Sequence, residues 1–220
     1  MKKRIVVSIG LAVLVAVSST YAQTTNFPEL VKSGTPQDVQ AAISKGADVN
    51  APDCCGGTPL IYAAKSNPNP EVITTLLKAG ADLNARDPDY GATPLMWAAQ
   101  FNENPEVIAT LLKAGANLGV QDKVYGGTPL IWAARHNRPA VISTLLMAGA
   151  DLEAHSKDGM TALMFAAADN QNPEVIAALL DAGADAKAKD GRGRTAFDYA
   201  QTRAKLKDTD AYRQLQEASQ

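Results

Sequence analysis

The segment Thr93-Pro94-Leu95-Met96-Trp97-Ala98-Ala99 decides how this 220-residue chain is organised, because the chain contains several copies of it. Two close copies occupy residues 58–64 and 128–134, and both read Thr-Pro-Leu, an apolar residue, an aromatic residue and two alanines. Looser copies occupy residues 161–167 and 195–200. Successive copies therefore begin 35, 35, 33 and 34 residues apart.

A second motif recurs with the same spacing. It consists of Gly-Ala followed by Asp or Asn, and it begins at Gly46, Gly80, Gly115, Gly149 and Gly183. Two different motifs that keep one period indicate a repeat array, in which each unit buries its apolar face only against its neighbours. The array overrides the one or two globular domains that the length alone would suggest.

The two motifs together resemble the ankyrin repeat, which has a period of about 33 residues. The resemblance extends over about residues 35–205. It implies an all-α solenoid of stacked helix-turn-helix units that are joined by extended loops, here called fingers. The chain departs from the family where a histidine usually follows Thr-Pro-Leu. The residues at that position are Ile61, Met96, Ile131, Met164 and Asp198. The hydrogen bonds of that histidine are therefore missing or replaced, but apolar substitutes do not threaten the fold.

We expect a single ankyrin-repeat domain over residues 23–220, built from about six units. The first and last units are caps, because an end unit needs a soluble outer face. The predicted units span residues 27–53, 54–88, 89–123, 124–156, 157–190 and 191–220.

The ends of the predicted helices carry recognisable residues. An asparagine stands nine residues after each repeat threonine, where the family usually has glycine, at Asn67, Asn102, Asn137 and Asn170. Because asparagine tolerates the left-handed conformation, we predict that it ends the first helix in that conformation. Glycine is predicted to do the same for the second helices. Arg138 replaces the asparagine N-cap of one second helix, which predicts a weakly started helix there.

Residues 1–22 have the build of a secretory signal peptide, with three basic residues at 2–4, a mostly apolar run over 5–17 and a small residue before Gln23. A bilayer span requires roughly 20 apolar residues, and no cysteine follows the expected cleavage point to carry a lipid. We therefore expect a mature chain from about Gln23, soluble, without a membrane anchor, and periplasmic or secreted.

Cleavage would remove three basic residues and change the formal net charge from −2 to −5. A mildly acidic protein has no electrostatic attraction to nucleic acid or anionic lipid, so neither is an expected partner.

The residues that usually carry catalysis or bind cofactors are scattered. His136 and His155 occupy different positions in different units, and no ligand set with metal-site spacing surrounds either. Phosphate-loop and nucleophile-elbow motifs are absent from the sequence. The acids of the fingers are interpreted as solvated turn formers: Asp53, Asp87, Asp89, Asp122, Asp158 and Asp190. We therefore predict a non-enzymatic protein without a cofactor or a metal.

Cys54 and Cys55 are adjacent in the first finger. In an exported protein they could form a strained vicinal disulfide or an intermolecular bridge, or act as thiols in metal or redox chemistry. An exposed pair without a role is the fourth interpretation. We expect a monomer, with a disulfide-linked dimer as the alternative.

An aromatic residue stands four residues after each repeat threonine, on the helix side opposite the core-facing leucine and alanines. This aromatic column comprises Tyr62, Trp97, Trp132, Phe165 and Tyr199. It predicts a partner-binding surface on the concave side, to which we add Tyr90 and Tyr125. Sideways packing between the rings, for stability alone, is the alternative interpretation, and both can hold together.

The resemblance implies a protein-binding module that holds a partner through its concave face and finger tips, outside the cytoplasm. Two alternatives remain open. One is a redox or metal-handling role centred on Cys54 and Cys55, and the other is an inhibitor or protector of an exported enzyme.

Overall fold

The computed structural model describes residues 27–220, and the predicted signal peptide at residues 1–22 lies outside this range. The described residues form twelve α-helices and a short 3-10 helix, with no β-strand among them. In chain order the helices are α1 (Phe27–Ser33), α2 (Pro36–Ser44), α3 (Pro59–Ser66), α4 (Pro70–Lys78), α5 (Pro94–Phe101), α6 (Pro105–Lys113), α7 (Pro129–His136), α8 (Pro139–Met147), α9 (Ala162–Asp169), α10 (Glu174–Asp181), α11 (Ala196–Gln201), the 3-10 helix (Ala204–Leu206) and α12 (Asp210–Ala218). The predicted all-α solenoid is confirmed.

Each unit contributes one helix to an inner row and one to an outer row. The inner row is α1, α3, α5, α7, α9 and α11, and the outer row is α2, α4, α6, α8, α10 and α12. Neighbouring inner helices contact each other more extensively than neighbouring outer helices do. We infer that the stack curves with the inner helices and the fingers on its concave side.

The repeated motifs begin and end the helices. In α5, for example, the side chain of Thr93 accepts a hydrogen bond from the backbone N–H of Met96, and Pro94 occupies the first turn. The glycine that follows each of α2, α4, α6, α8 and α10 has a φ of 91–96°. This left-handed conformation after the outer helices was predicted and is confirmed.

The core lies between the two rows of helices. Leucines of the inner helices and isoleucines of the outer helices pack there, each at most 1% exposed: Leu60, Leu95, Leu130, Leu163, Ile73, Ile108, Ile142 and Ile176. No helix among residues 27–220 is both long and apolar enough to span a bilayer.

The asparagines after the inner helices connect adjacent units. The Nδ2 of Asn102 donates to the carbonyl oxygens of Ala64 (2.9 Å) and Asn67 (2.8 Å) in the preceding unit, and its Oδ1 accepts from the N–H of Asn104. Asn67, Asn137 and Asn170 donate to the same two positions of the units before them. All four are 2–4% exposed. We call this series the asparagine ladder.

The left-handed conformation predicted for these asparagines is wrong. Their φ angles lie between −101° and −68°, and every non-glycine residue of the described chain has a negative φ. The reason is that an extended asparagine can direct its amide into the neighbouring unit. The side chain satisfies buried carbonyl groups there that would otherwise lack partners.

Arg138 precedes α8 and provides no side-chain cap, as predicted. Its backbone is nevertheless extended, with φ −102° and ψ 160°, which suits an N-cap residue. Its guanidinium pairs with Glu103 at 2.6 Å, but both side chains are 62% exposed. Exposed pairs of this kind contribute at most about 1 kcal/mol.

We predict that Arg138→Asn is more stable than Arg138→Ala by about 1 kcal/mol in denaturant unfolding, because asparagine can accept from a free N–H of the first turn of α8. The alanine variant is the matched control, since both changes remove the pair with Glu103. Equal free energies of unfolding for the two variants would contradict the capping argument.

Candidate functional site: the aromatic face and the first finger

Four rings of the aromatic column donate a hydrogen bond to an aspartate of their own finger. Tyr62 Oη donates to Asp53 Oδ2 at 2.5 Å, and Tyr199 Oη donates to Asp190 Oδ2 at 2.6 Å. In the two middle units the donor is an indole. These bonds join Trp97 Nε1 to Asp87 Oδ2 at 3.1 Å and Trp132 Nε1 to Asp122 Oδ2 at 3.0 Å. Each ring is thereby held against the base of its finger.

The unit of the fifth ring, Phe165, lacks both the hydrogen-bond donor on the ring and the aspartate in the finger. Phe165 has no polar donor, and its finger carries Ser156 where the other fingers carry the aspartate. The Ser156 hydroxyl accepts from the N–H of Met160 instead, at 3.2 Å. A carboxylate therefore occurs in the units whose ring can donate to it.

The interpretation of the finger acids as solvated turn formers is wrong for the acids that hold the rings. Asp87, Asp122 and Asp190 are 8%, 2% and 6% exposed, and Asp53 is half-buried. Burial is tolerated because each carboxylate also accepts backbone N–H groups of its finger; Asp122 accepts from residues 124, 125 and 127. Asp89 and Asp158 are exposed, in agreement with the interpretation.

The column is buried to different extents along the stack. Trp132 and Phe165 are 8% and 9% exposed, whereas Tyr62, Trp97 and Tyr199 are half-buried. Both interpretations of the column therefore have physical support. Trp132 and Phe165 are packed against neighbouring residues, whereas the other three rings keep surface that a partner could contact.

Exposed aromatic side chains surround the middle of the column. Tyr90 and Tyr125, from the second and third fingers, are 37% and 47% exposed. Phe101, which sequence reasoning missed, is 46% exposed and stacks on Trp97 with ring centres 5.6 Å apart. Its position one helical turn after Trp97 was the signal that could have identified it.

The rings form one continuous surface, which we call the aromatic face and define as Tyr90, Trp97, Phe101, Tyr125 and Trp132. The Tyr90 ring lies edge-on to both tryptophans with centres 6.0 Å apart, and the two tryptophans are 5.4 Å apart. The face lines a cleft of about 630 Å³ that includes open solvent.

Basic side chains lie over the rings. Lys65 Nζ is 4.5 Å from the Trp97 ring centre and 4.7 Å from that of Phe101. The Arg135 guanidinium lies 5.6 Å from the rings of Tyr125 and Phe165. Such cations stabilise the rings electrostatically. Arg135 also pairs with Asp169, with its Nε 2.7 Å from Asp169 Oδ2, so its charge is compensated.

The pKa values at the two ends of the column reflect the ring–acid pairs. Burial and the hydrogen bond to Asp190 raise the pKa of Tyr199 to about 12. Burial alone would raise the pKa of Asp190, but hydrogen bonds from Tyr199 and from residues 192 and 194 outweigh it and hold that pKa well below its usual range. At the other end, hydrogen bonds from Tyr62 and the finger backbone likewise lower the pKa of Asp53 against the effect of burial. These carboxylates remain ionised acceptors.

Cys54 and Cys55 are exposed in the turn of the first finger. Their Sγ atoms are 3.7 Å apart and not bonded. With a carboxylate oxygen of Asp53, they form a group of three ligand atoms that all lie within 4.8 Å of one another. The hydrogen bond between the two thiols and the nearby negative charges raise the pKa of the Cys55 thiol.

The two histidines lie in separate surroundings and do not form a site together. His155 is exposed, and its Nδ1 lies 3.0 Å from the carbonyl oxygen of Glu153. Burial, and then the charge of Arg135, lower the pKa of His136. Within residues 27–220, neither histidine belongs to a group of three potential metal ligands.

One solved structure with a similar chain is the complex of the Bd0816 predatory endopeptidase from Bdellovibrio bacteriovorus with immunity protein Bd3460. The similar chain has a TM-score of 0.70 and 29% sequence identity, and the match covers 87% of this chain and 96% of that chain. No curated protein sequence matches this chain.

The model of the ankyrin-repeat family matches the sequence three times, over residues 29–122, 89–156 and 130–215. Together the matches include the asparagine ladder, the aromatic face and the first finger. Members of this family are generally binding modules without enzymatic activity. The chain belongs to the ankyrin-repeat family.

Proposed function

We propose that this protein binds a protein partner through the aromatic face, outside the cytoplasm. The observation that carries the proposal is the exposure of Tyr90, Phe101 and Tyr125 around half-buried Trp97. Aromatic side chains concentrated on one surface of a soluble protein are characteristic of interaction sites. Tryptophan and tyrosine are also the residues that most often dominate binding energy.

The rigidity of the aromatic face supports this role. The indoles of Trp97 and Trp132 are held by Asp87 and Asp122, so the rings lose little conformational freedom when a partner docks. Lys65 at the rim would attract acidic groups of the partner. The finger tips, which lie beside the face, would add further contacts.

Export of the chain is the second part of the proposal. It is supported by the basic start and apolar run of residues 1–22, which are typical of a cleaved signal peptide. We expect the protein isolated from a periplasmic or secreted fraction to have the mass of a chain beginning at Gln23. A protein that keeps Met1 and remains in the cytoplasm would contradict export.

A more specific candidate is an inhibitor or protector of an exported peptidase. It is favoured by the similar chain of 29% identity, which comes from a complex between an endopeptidase and an immunity protein. In that case the aromatic face would cover the peptidase or a region next to its active site.

Site-specific photo-crosslinking in the cell of origin tests both levels of the proposal. The crosslinker p-benzoylphenylalanine replaces Tyr125 in one strain and Met147 in another. Met147 is the matched control, since it is 82% exposed but lies at the end of outer helix α8. We expect one protein to be crosslinked at position 125 and not at position 147.

Crosslinking at neither position, or equally at both, would contradict binding through the aromatic face.

The captured protein is then purified and assayed for peptidase activity with and without one equivalent of this chain. Inhibition of a peptidase would support the specific candidate. A partner without peptidase activity would contradict that candidate and leave the binding function in place.

A further inference from the structure

The cysteine pair in the first finger is not required by the fold. In the other fingers the two residues that follow the buried acid or serine are 88–89, 123–124, 157–158 and 191–192, and none of them is cysteine. The turn is formed in the same way without cysteine, because Asp122 Oδ1 accepts from the N–H of Val124 just as Asp53 Oδ1 accepts from that of Cys55. Both cysteines are exposed and so contribute nothing to the core. The pair therefore needs another explanation.

The separation of the two sulfur atoms matches a shared metal ion. In tetrahedral coordination with metal–sulfur bonds of about 2.3 Å, two thiolate ligands lie about 3.8 Å apart. The Cys54 and Cys55 Sγ atoms are 3.7 Å apart. One ion can therefore contact both sulfurs without a change in the backbone of the finger.

Asp53 supplies a third ligand. Its Oδ1 accepts the N–H groups of Cys55 (2.9 Å) and Gly57 (3.0 Å), and its Oδ2 accepts the Tyr62 hydroxyl (2.5 Å). Since a carboxylate oxygen has two acceptor sites, Oδ2 keeps one for a metal ion. The hydrogen bonds from Tyr62 and the finger backbone also orient the carboxylate, as outer partners do at metal sites.

The three ligand atoms require only a small adjustment. They lie within 4.8 Å of one another, whereas tetrahedral zinc places an oxygen and a sulfur ligand about 3.6 Å apart. The thiol side chains are exposed and can rotate to close this difference. Solvent would occupy the fourth coordination position.

We propose that Asp53, Cys54 and Cys55 bind one thiophilic metal ion of the Zn²⁺ type at the tip of the first finger. Both thiols release a proton to solvent when the ion binds, so the ion is held by two thiolates and one carboxylate. The site is independent of the aromatic face, and it adds a binding activity to the proposed function. The hydrogen bond from Tyr62 to Asp53 links the ion to the first ring of the aromatic column.

Titration of the reduced mature chain with Co²⁺, a spectroscopic substitute for Zn²⁺, tests the site. We expect one Co²⁺ per chain, with a thiolate-to-cobalt charge-transfer band, the visible bands of tetrahedral Co²⁺ and displacement by Zn²⁺. Cys54→Ser and Cys55→Ser should each abolish the tetrahedral spectrum. Bound Zn²⁺ should also protect both thiols of the unmodified chain from alkylation, as measured by mass spectrometry.

A matched pair of variants distinguishes the loss of a metal ligand from the loss of a negative charge near the site. Asp53→Asn and Asp89→Asn each remove one negative charge, but Asp89 is an exposed residue of the next finger. We expect Asp53→Asn to weaken Zn²⁺ binding by at least the roughly 10–100-fold that the loss of an outer partner causes. Asp89→Asn should leave the affinity nearly unchanged.

Three results would overturn the site. The first is the absence of a thiolate–cobalt band while both thiols remain open to alkylation. The second is one Co²⁺ per two chains, which would indicate a bridge between molecules. The third is equal weakening by Asp53→Asn and Asp89→Asn. The serine variants keep the proposal testable if Asp53→Asn unfolds the first finger, because they leave the bond between Asp53 and Tyr62 intact.

Discussion

Replacing Trp132 with alanine is expected to lower the free energy of unfolding by about 3–5 kcal/mol, as is usual for a buried tryptophan. Trp132 is 8% exposed, packs edge-on against Trp97 and Tyr90, and donates its indole N–H to Asp122. The alanine variant loses this packing and leaves a cavity at the centre of the stack. Urea unfolding measures the change, and Met147→Ala is the control.

The indole hydrogen bond contributes a separable part of this effect. Trp132→Phe keeps a ring but removes the donor to the buried carboxylate of Asp122, which should cost about 1–3 kcal/mol. Met147→Ala should change the free energy of unfolding by no more than about 0.5 kcal/mol, because Met147 is exposed. A loss for Trp132→Ala as small as that of the control would show that the ring does not stabilise the stack.

The second large effect is expected at the asparagine ladder. Asn137→Ala should lower the free energy of unfolding by about 2–4 kcal/mol, because it leaves two buried carbonyl groups without a donor. These are the oxygens of Ala99 and Asn102, which lie 2.7 and 3.1 Å from Asn137 Nδ2. Asn137 also accepts the N–H of Arg138 at 2.8 Å.

Asn117→Ala is the matched control for the ladder. Asn117 is exposed, and its side chain accepts only the N–H of nearby Gly119, at 2.8 Å. We expect its replacement to change the free energy of unfolding by no more than about 0.5 kcal/mol. Similar losses for Asn137→Ala and Asn117→Ala would mean that the ladder does not hold adjacent units together.

The regular parts of this fold could be predicted because their signals are local. A threonine such as Thr93 accepts from an N–H three residues later, and a glycine such as Gly115 takes a left-handed conformation that other residues avoid. Both signals recur once per unit, and that recurrence distinguishes an array from an isolated helix.

The asparagine ladder and the ring–acid pairs could not be predicted in the same way, because they depend on contacts between distant residues. Asn102 was interpreted from its own position in the chain, but its partners are 38 and 35 residues away. Asp87 resembled an ordinary turn residue until Trp97 was found to donate to it. Phe101 was missed because it does not recur in the other units, whose inner helices end at that position in Ser66, His136 and Asp169.

The most direct test of the proposed function compares partner affinity with stability for the exposed half of the aromatic face. Phe101→Ala and Tyr125→Ala, combined in one chain, are expected to change the free energy of unfolding by no more than about 1 kcal/mol, because each side chain is already about half exposed to solvent. The Kd of the crosslinked partner should rise by roughly 30-fold or more, which corresponds to the loss of about 2 kcal/mol of an aromatic anchor. Met147→Ala should change neither quantity. A folded double variant that binds the partner as tightly as the original chain would contradict binding through the aromatic face.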